Sequence, residues 1–406
     1  MKKKIYIVGI GMGSIDGITL EGLNALKKSQ SIIGAKRMLE VFNDFSCEKF
    51  ASFKNDEIVK YIEESKHEIM SVAVSGDLGF YSVAKKLKEM LKEYEVESIC
   101  GISSVSYFSS KIGVSWDDMK IITLHGRGHK LIGQVMTNEK TFILTGGQNK
   151  VEDICKKLVE NDLGELKVAV GENLSYENER IIEGTALELA DMTFDNLSVM
   201  IVFNDDALEE TYVTHGVEDE EFIRARVPMT KSEIRNVALA KMKLRRDDLC
   251  WDVGAGTGSV AIEMALRATD GFVYAIEKNE AAVELIKENK RKFKTNNLKV
   301  IKGLAPDALR DLPAPDRVFI GGSSGNMEEI VSIILEKNPE VRFVVTAITL
   351  ETVAETINVL KKFNIKDNDI VHMAVGKSKK IAGYNMMMGL NPVYIMTGQG
   401  ASENEE

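Results

Sequence analysis

The densest concentration of chemically suggestive residues is the run LCWDVGAGTGSVAIEMA. A hydrophobic strand ends there at Val253, glycines fall at 254, 256 and 258, and a helix opens near Ser259. Glycine tolerates torsions and close approaches that larger residues forbid, and the free N–H groups of a first helical turn face whatever occupies the crevice above the strands. A nucleotide-like ligand suits that position. The dinucleotide fingerprint G-x-G-x-x-G would need glycine at Ser259, whereas this loop reads G-x-G-x-G. The next strand, Phe272 to Ile276, ends at Glu277, whose carboxylate can accept hydrogen bonds from both hydroxyls of a ribose. Alone, the glycines would be a tight turn and Glu277 a solvated strand end; together they select a ribose-bearing cofactor.

The opening IYIVGIGMGS also carries glycines, at 9, 11 and 13, but no acidic residue ends a clear second strand about twenty positions on, so a dinucleotide site is a poor reading. More informative are VSGDLGFYS at 74–82, CGISSVSYFSSKIG at 100–113, ITLHGR at 122–127 and LTGGQN at 144–149. They single out Gly76, Asp77, Ser103 and Ser104. Residue chemistry alone leaves Asp77 equally readable as a turn aspartate, the serines as a helix cap and His125 as a histidine without chemistry.

Both clusters need rigid α/β layers beneath them. Short apolar runs (Ile5–Val8, Ser71–Val74, Phe142–Leu144, Lys167–Val170) alternate with helix-like stretches such as Tyr81–Leu91 and Val151–Val159. An acidic stretch from Asn204 to Glu221 interrupts that rhythm. A fresh series follows, with predicted strands at Leu249–Val253, Phe272–Ile276, Lys299–Ile301, Arg317–Ile320, Val341–Ala347, Ile370–Val375 and Pro392–Met396. The expected organisation is a domain over 1–206, an acidic linker over 207–221, a second α/β domain over 222–398 and a disordered acidic tail over 399–406.

The 406 residues suit two domains. A net charge of −10 argues against broad nucleic-acid binding, which draws its affinity from lysine and arginine on phosphates. Cys47, Cys100, Cys155 and Cys250 lie far apart, with no C-x-x-C pair and no metal-ligand cluster, which fits a reducing cytoplasm and predicts no metal site. The start MKKKIYIVGIGMG reads as a strand rather than a signal peptide, and nothing approaches the ~20 apolar residues of a membrane span. Met386–Met388 could form an adaptable hydrophobic groove, although methionine clusters more often fill a core, and they are assigned no role.

From Gly216 to about Gly398, the segments PMTKSEIR, WDVGAGTGSVAIE, YAIEKN, GLAPDAL and PDRVFIGGSSG appear in order. They resemble the class I, Rossmann-like precorrin methyltransferase family of the cobalamin pathway whose members also decarboxylate. The resemblance implies a seven-stranded sheet and an S-adenosylmethionine site lined by Thr230, Gly254, Ala255, Gly256, Thr257, Gly258, Glu277 and Ala305. It further implies that Gly321, Gly322 and Ser323 border a tetrapyrrole. Ser324 departs from the family's usual glycine, a difference that matters if the position needs positive φ. The N-terminal segments resemble tetrapyrrole methylases, in which the cofactor folds into a cleft between two α/β subdomains; Gly76, Asp77, Ser103 and Ser104 carry across. Leu78 and Cys100 stand where that family commonly has proline.

The two resemblances in one chain match the fusion family of precorrin-6Y C(5,15)-methyltransferases. They imply methylation of (cobalt-)precorrin-6B at carbons 15 and 5 with loss of carbon dioxide from the ring C acetate arm, using one S-adenosylmethionine per domain, and assembly through the C-terminal domain. Acetate and propionate arms seek cations, which nominates Arg226, Lys231, Arg235 and Arg127 as clamps. No catalytic acid or base is nominated, because the sulfonium is already electrophilic and positioning should dominate. Two alternatives stay open: a class I methyltransferase acting on RNA or protein, and a C-terminal enzyme with a non-catalytic, tetrapyrrole-binding N-terminal module.

Overall fold

A computed structural model describes residues 3–124, 130–147, 149–209, 214–365 and 367–401. By internal contacts the chain forms two units, one of residues 1–123, 140–155 and 167–202, the other of 124–139, 156–166 and 203–406.

In the first unit, strands β1 (Lys4–Gly9), β2 (Ser31–Gly34), β3 (Glu48–Ala51), β4 (Ile69–Val74) and β5 (Glu95–Ile99) form a parallel sheet in the order β3-β2-β4-β1-β5. A second sheet holds β6 (Lys120–Thr123), β7 (Lys140–Leu144), β8 (Lys167–Glu172), β9 (Arg180–Thr185) and β10 (Ser198–Phe203), in the order β6-β7-β10-β8-β9. The apolar runs of β1 and β4 are buried because the sheet is covered on both faces, with Ile5, Ile7 and Val72 in one core and Val8 and Ala73 in the other.

The second unit is built on β11 (Leu249–Val253), β12 (Phe272–Glu277), β13 (Leu298–Lys302), β14 (Arg317–Ile320), β15 (Arg342–Ala347), β16 (Asp369–Met373) and β19 (Val393–Gln399). Their order is β13-β12-β11-β14-β15-β19-β16, parallel except for β19, which runs antiparallel to both neighbours. The seven predicted strands and the seven-stranded Rossmann-like sheet are observed. Alternate residues of β11 feed different cores, Trp251 and Val253 on one face and Cys250 on the other. The order reverses between β11 and β14, and open α/β sheets bind ligands in the crevice at such a point.

Two expectations need correction. The stretch read as an acidic linker is, over residues 214–221, packed into the second unit: Asp219 is buried and accepts from the Ser232 amide at 3.0 Å, so its charge serves a buried network rather than solvation. Met386–Met388 do not fill a core. They lie in a hairpin missed in the sequence, β17 (Gly376–Ile381) paired with β18 (Tyr384–Gly389), in which every residue is exposed. Among the described residues no helix is long and apolar enough to cross a membrane.

Candidate functional site

At the C-terminal ends of β11, β12, β14 and β15 lies a cavity of about 730 Å³, the size of a cofactor site. The turn after β11 shapes its floor. Gly254, Gly256 and Gly258 all adopt left-handed torsions (φ 74, 55 and 78°), which side chains disfavour. A Cβ on Gly254 would stand 2.8 Å from the Gly322 backbone, and one on Gly256 2.8 Å from the Pro228 carbonyl oxygen. The turn is therefore glycine-rich because two other backbone segments press against it.

Glu277 ends β12 facing the cavity, with its side chain fixed at both oxygens: Gly256 N–H donates to Oε2 at 2.9 Å and Asn279 N–H to Oε1 at 2.8 Å. Each oxygen keeps a further lone pair, so the carboxylate is held ready for two hydroxyl donors. Ile276, Ala282, Leu304 and Ala305 give apolar walls on the same side, and Asn279 caps the helix Glu280–Lys292 by accepting from the Ala282 amide. A vicinal diol beside a flat apolar base fits this arrangement. The Glu277 acceptor and these apolar walls suit the ribose and adenine of S-adenosylmethionine. The amides of 254–256 are already engaged, Gly254 and Ala255 on the Ile276 carbonyl and Gly256 on Glu277, so that the turn offers close backbone approach rather than free donors.

Of the positions nominated from sequence, the cavity wall includes Thr230, Gly254, Ala255, Gly256, Glu277, Ala305, Gly321, Gly322, Ser323, Arg226 and Lys231. It does not include Thr257 or Gly258. Thr257 is buried, and Gly258 caps the helix Ser259–Arg267 where a Cβ would stand 2.9 Å from the Ile286 side chain, so both build the turn rather than line the cavity. Arg235 is a clearer correction. Its side chain is 0% exposed, donating to Glu263, Asp219 and the carbonyls of Thr230 and Val217, with the Phe222 ring 4.8 Å away. A guanidinium so enclosed cannot meet a substrate. Lys231 pairs with Asp219 at 3.5 Å, and Arg127 lies outside the described residues. Sequence reading missed Lys278, which lines the cavity and donates to the Ser324 hydroxyl at 2.9 Å. Ser324 adopts φ 54°, so the position does require the left-handed conformation that a glycine would hold without strain.

Asp252 sits one residue before the turn, fully enclosed in β11. Its Oδ2 accepts from the Ala261 amide at 2.9 Å, while Oδ1 has no partner among the described residues. Burial pushes its carboxyl up to about 7. The folded chain thus keeps a proton that the unfolded chain releases near pH 4, so this group favours folding in acid and disfavours it increasingly as pH rises from about 4 to about 7. Asp252→Asn keeps an acceptor for Ala261 and abolishes the titration. Its stability relative to the parent should rise by roughly 1–3 kcal/mol between pH 5 and pH 8 in urea titrations; parallel profiles would refute this account.

In the first unit, the ends of β1, β4 and β5 converge through glycine. Gly11 and Gly76 exchange backbone hydrogen bonds at 2.7 and 3.3 Å, and a Cβ on Gly101 would lie 2.3 Å from the Gly76 carbonyl oxygen. Asp77 locks these turns, accepting from Gly79 N–H at 2.8 Å and Gly101 N–H at 3.2 Å. Ser103 caps the helix Ser104–Ile112 by accepting from the Ser106 amide, and Ser104 is buried at its start. Three of the four nominated residues therefore carry structural bonds of their own, Gly76 through its backbone and Asp77 and Ser103 through their side chains.

Comparison with known families follows the same division. A model described as "Precorrin methyltransferase domain" matches residues 222–398, and one described as "Tetrapyrrole (Corrin/Porphyrin) Methylases" matches 4–190. A probable cobalt-precorrin-6B C(15)-methyltransferase (decarboxylating) of Pyrobaculum calidifontis is 39% identical over 189 residues, 46% of this chain and 96% of that protein. Its namesake in Sulfurisphaera tokodaii is 40% identical over 191 residues, 45% of this chain and 97% of that protein. A solved structure described as precorrin-6y C5,15-methyltransferase from Geobacter metallireducens is 37% identical, covering 47% of this chain and 99% of that one, with a TM-score of 0.44. With both halves matched to tetrapyrrole-modifying enzymes and its C-terminal half closely similar to whole relatives, the chain belongs to the precorrin methyltransferases of corrin biosynthesis.

Proposed function

We propose that the chain methylates (cobalt-)precorrin-6B at carbon 15 and decarboxylates its ring C acetate arm in the C-terminal unit, and methylates carbon 5 in the N-terminal unit, with one S-adenosylmethionine bound by each. The observation that carries this reading is the anchored Glu277 carboxylate beside the glycine turn, at the reversal point of the seven-stranded sheet. The names of the relatives support the substrate and methylation at carbon 15 with decarboxylation.

Within the C-terminal unit, Glu277 would hold the ribose, Leu304 and Ala305 the base, and the 254–256 turn the amino-acid end. S-adenosylmethionine, when bound, supplies a methyl group on an electron-poor sulfur, open to attack by an electron-rich ring carbon. The chain's task is then alignment. Gly321, Gly322 and Ser323 line the wall on the β14 side, and among the described residues a Cβ on Gly322 would meet nothing within 4 Å, which supports room for a flat macrocycle there. No acid or base among these residues is assigned to decarboxylation, because the conjugated ring can accept the electron pair of the breaking bond.

The four free cysteines support a reducing cytoplasm. Self-association through the C-terminal unit is supported by the wholly exposed hairpin β17–β18, since an unsupported two-stranded ribbon is marginal in water. One preparation tests these readings. Calorimetry with S-adenosylhomocysteine should give two sites per chain, light scattering a multiple of the chain mass, and mass spectrometry after turnover two methyl gains with one carbon dioxide loss. One site and one methyl gain would reduce the N-terminal unit to a binding module, and no turnover would reject the substrate.

A further inference from the structure

Lys278 stands immediately beyond β12, and Ser324 lies in the turn after β14. In the sheet, β11 separates those two strands, so the 2.9 Å bond from Lys278 Nζ to Ser324 Oγ passes over the end of β11, where the glycine turn begins. Two features make this contact more than a surface lysine. Ser324 holds its left-handed backbone, φ 54°, at a strain cost that glycine would not carry, and in that conformation its hydroxyl receives the ammonium. The partner is a neutral oxygen, and among the described residues no carboxylate pairs with the ammonium, so further N–H donors remain for a ligand. Nearby Glu277 is engaged at both oxygens by backbone amides, and Lys231, on another part of the wall, is paired with Asp219.

We infer that Lys278 binds a carboxylate arm of the tetrapyrrole, and that Ser324 is the positioning residue that holds it across the cavity mouth. This rests on the substrate class proposed above. A carboxylate is also present on S-adenosylmethionine. The substrate is favoured because Lys278 is tethered to the turn opposite the ribose-binding side and is exposed at the rim.

The test uses the full chain and follows carbon dioxide release from cobalt-precorrin-6B, with S-adenosylhomocysteine affinity measured separately by calorimetry. Lys278→Gln should raise KM roughly tenfold, as expected for losing one exposed charge-assisted contact, with kcat within about threefold and S-adenosylhomocysteine affinity within about twofold. It should also flatten the rise of KM with salt, which a merely structural role would not do. Ser324→Gly, which removes the hydroxyl and relieves the backbone, should raise KM by about two- to fivefold without lowering thermal stability. An unchanged KM in Lys278→Gln, or an equal loss of S-adenosylhomocysteine affinity, would overturn the assignment while leaving the enzyme's proposed function intact. If the parent chain releases no carbon dioxide yet binds S-adenosylhomocysteine, the substrate reading fails and the Lys278 assignment fails with it.

Discussion

Arg235→Leu should destabilise the C-terminal unit by about 3–5 kcal/mol, the cost of leaving buried charges without their partner. Asp219 and Glu263 are both almost wholly enclosed, and each also accepts a backbone amide, from Ser232 and Gly216 respectively. The guanidinium thereby ties the segment 216–222 to the helices Ser232–Met242 and Ser259–Arg267. Removing it leaves Glu263 without a cation, Asp219 with Lys231 alone, and two carbonyl oxygens without this donor. Urea unfolding followed by the buried Trp251, with the exposed Trp116 changed to Phe, isolates this unit. A loss below about 1 kcal/mol together with a raised substrate KM would instead restore Arg235 as a substrate clamp.

Glu277→Ala should weaken S-adenosylhomocysteine at the C-terminal site by about 10²–10³-fold, since two hydroxyl donors lose a charged acceptor worth roughly 1.5–3 kcal/mol each before discounting for partial exposure. On the full chain the calorimetric stoichiometry should fall from two to one, because the N-terminal site has no share in this residue. Glu277→Gln keeps an acceptor oxygen and loses the charge, so it should retain an intermediate affinity, about tenfold weakened. That variant also separates ligand binding from support of the Gly256 and Asn279 amides, which either acceptor oxygen can partly satisfy. Two sites of unchanged affinity in Glu277→Ala would remove ribose recognition from this carboxylate.

Local chemistry was legible wherever one short segment carried it. The β11 glycines announce positive φ in their spacing, Glu277 follows as the strand-terminal acid, and the central strands of the large sheet are apolar runs between turn signals, while the edge strands LKVIK and DIVHM are mixed. The hairpin β17–β18 was not legible, because GKSKKI and YNMMMG show no alternation of buried and exposed residues to mark a strand; both sides meet solvent. Asp77 and Ser103 were legible as candidates, but only the folded chain shows how much of each is already spent on Gly79, Gly101 and Ser106.

The sequence by itself thus determined the fold class, the cofactor turn and the family, since each depends on residue types at short spacing, where backbone torsion and periodicity act. Tertiary structure decided which charges face a ligand. Arg235 and Lys278 are both cations near the glycine turn, yet one is enclosed by acids from two other segments while the other reaches across the mouth to Ser324. That difference is set by residues 16 to 46 positions away, whose proximity arises only when the sheet assembles, and it decides whether each charge is neutralised or left free to bind.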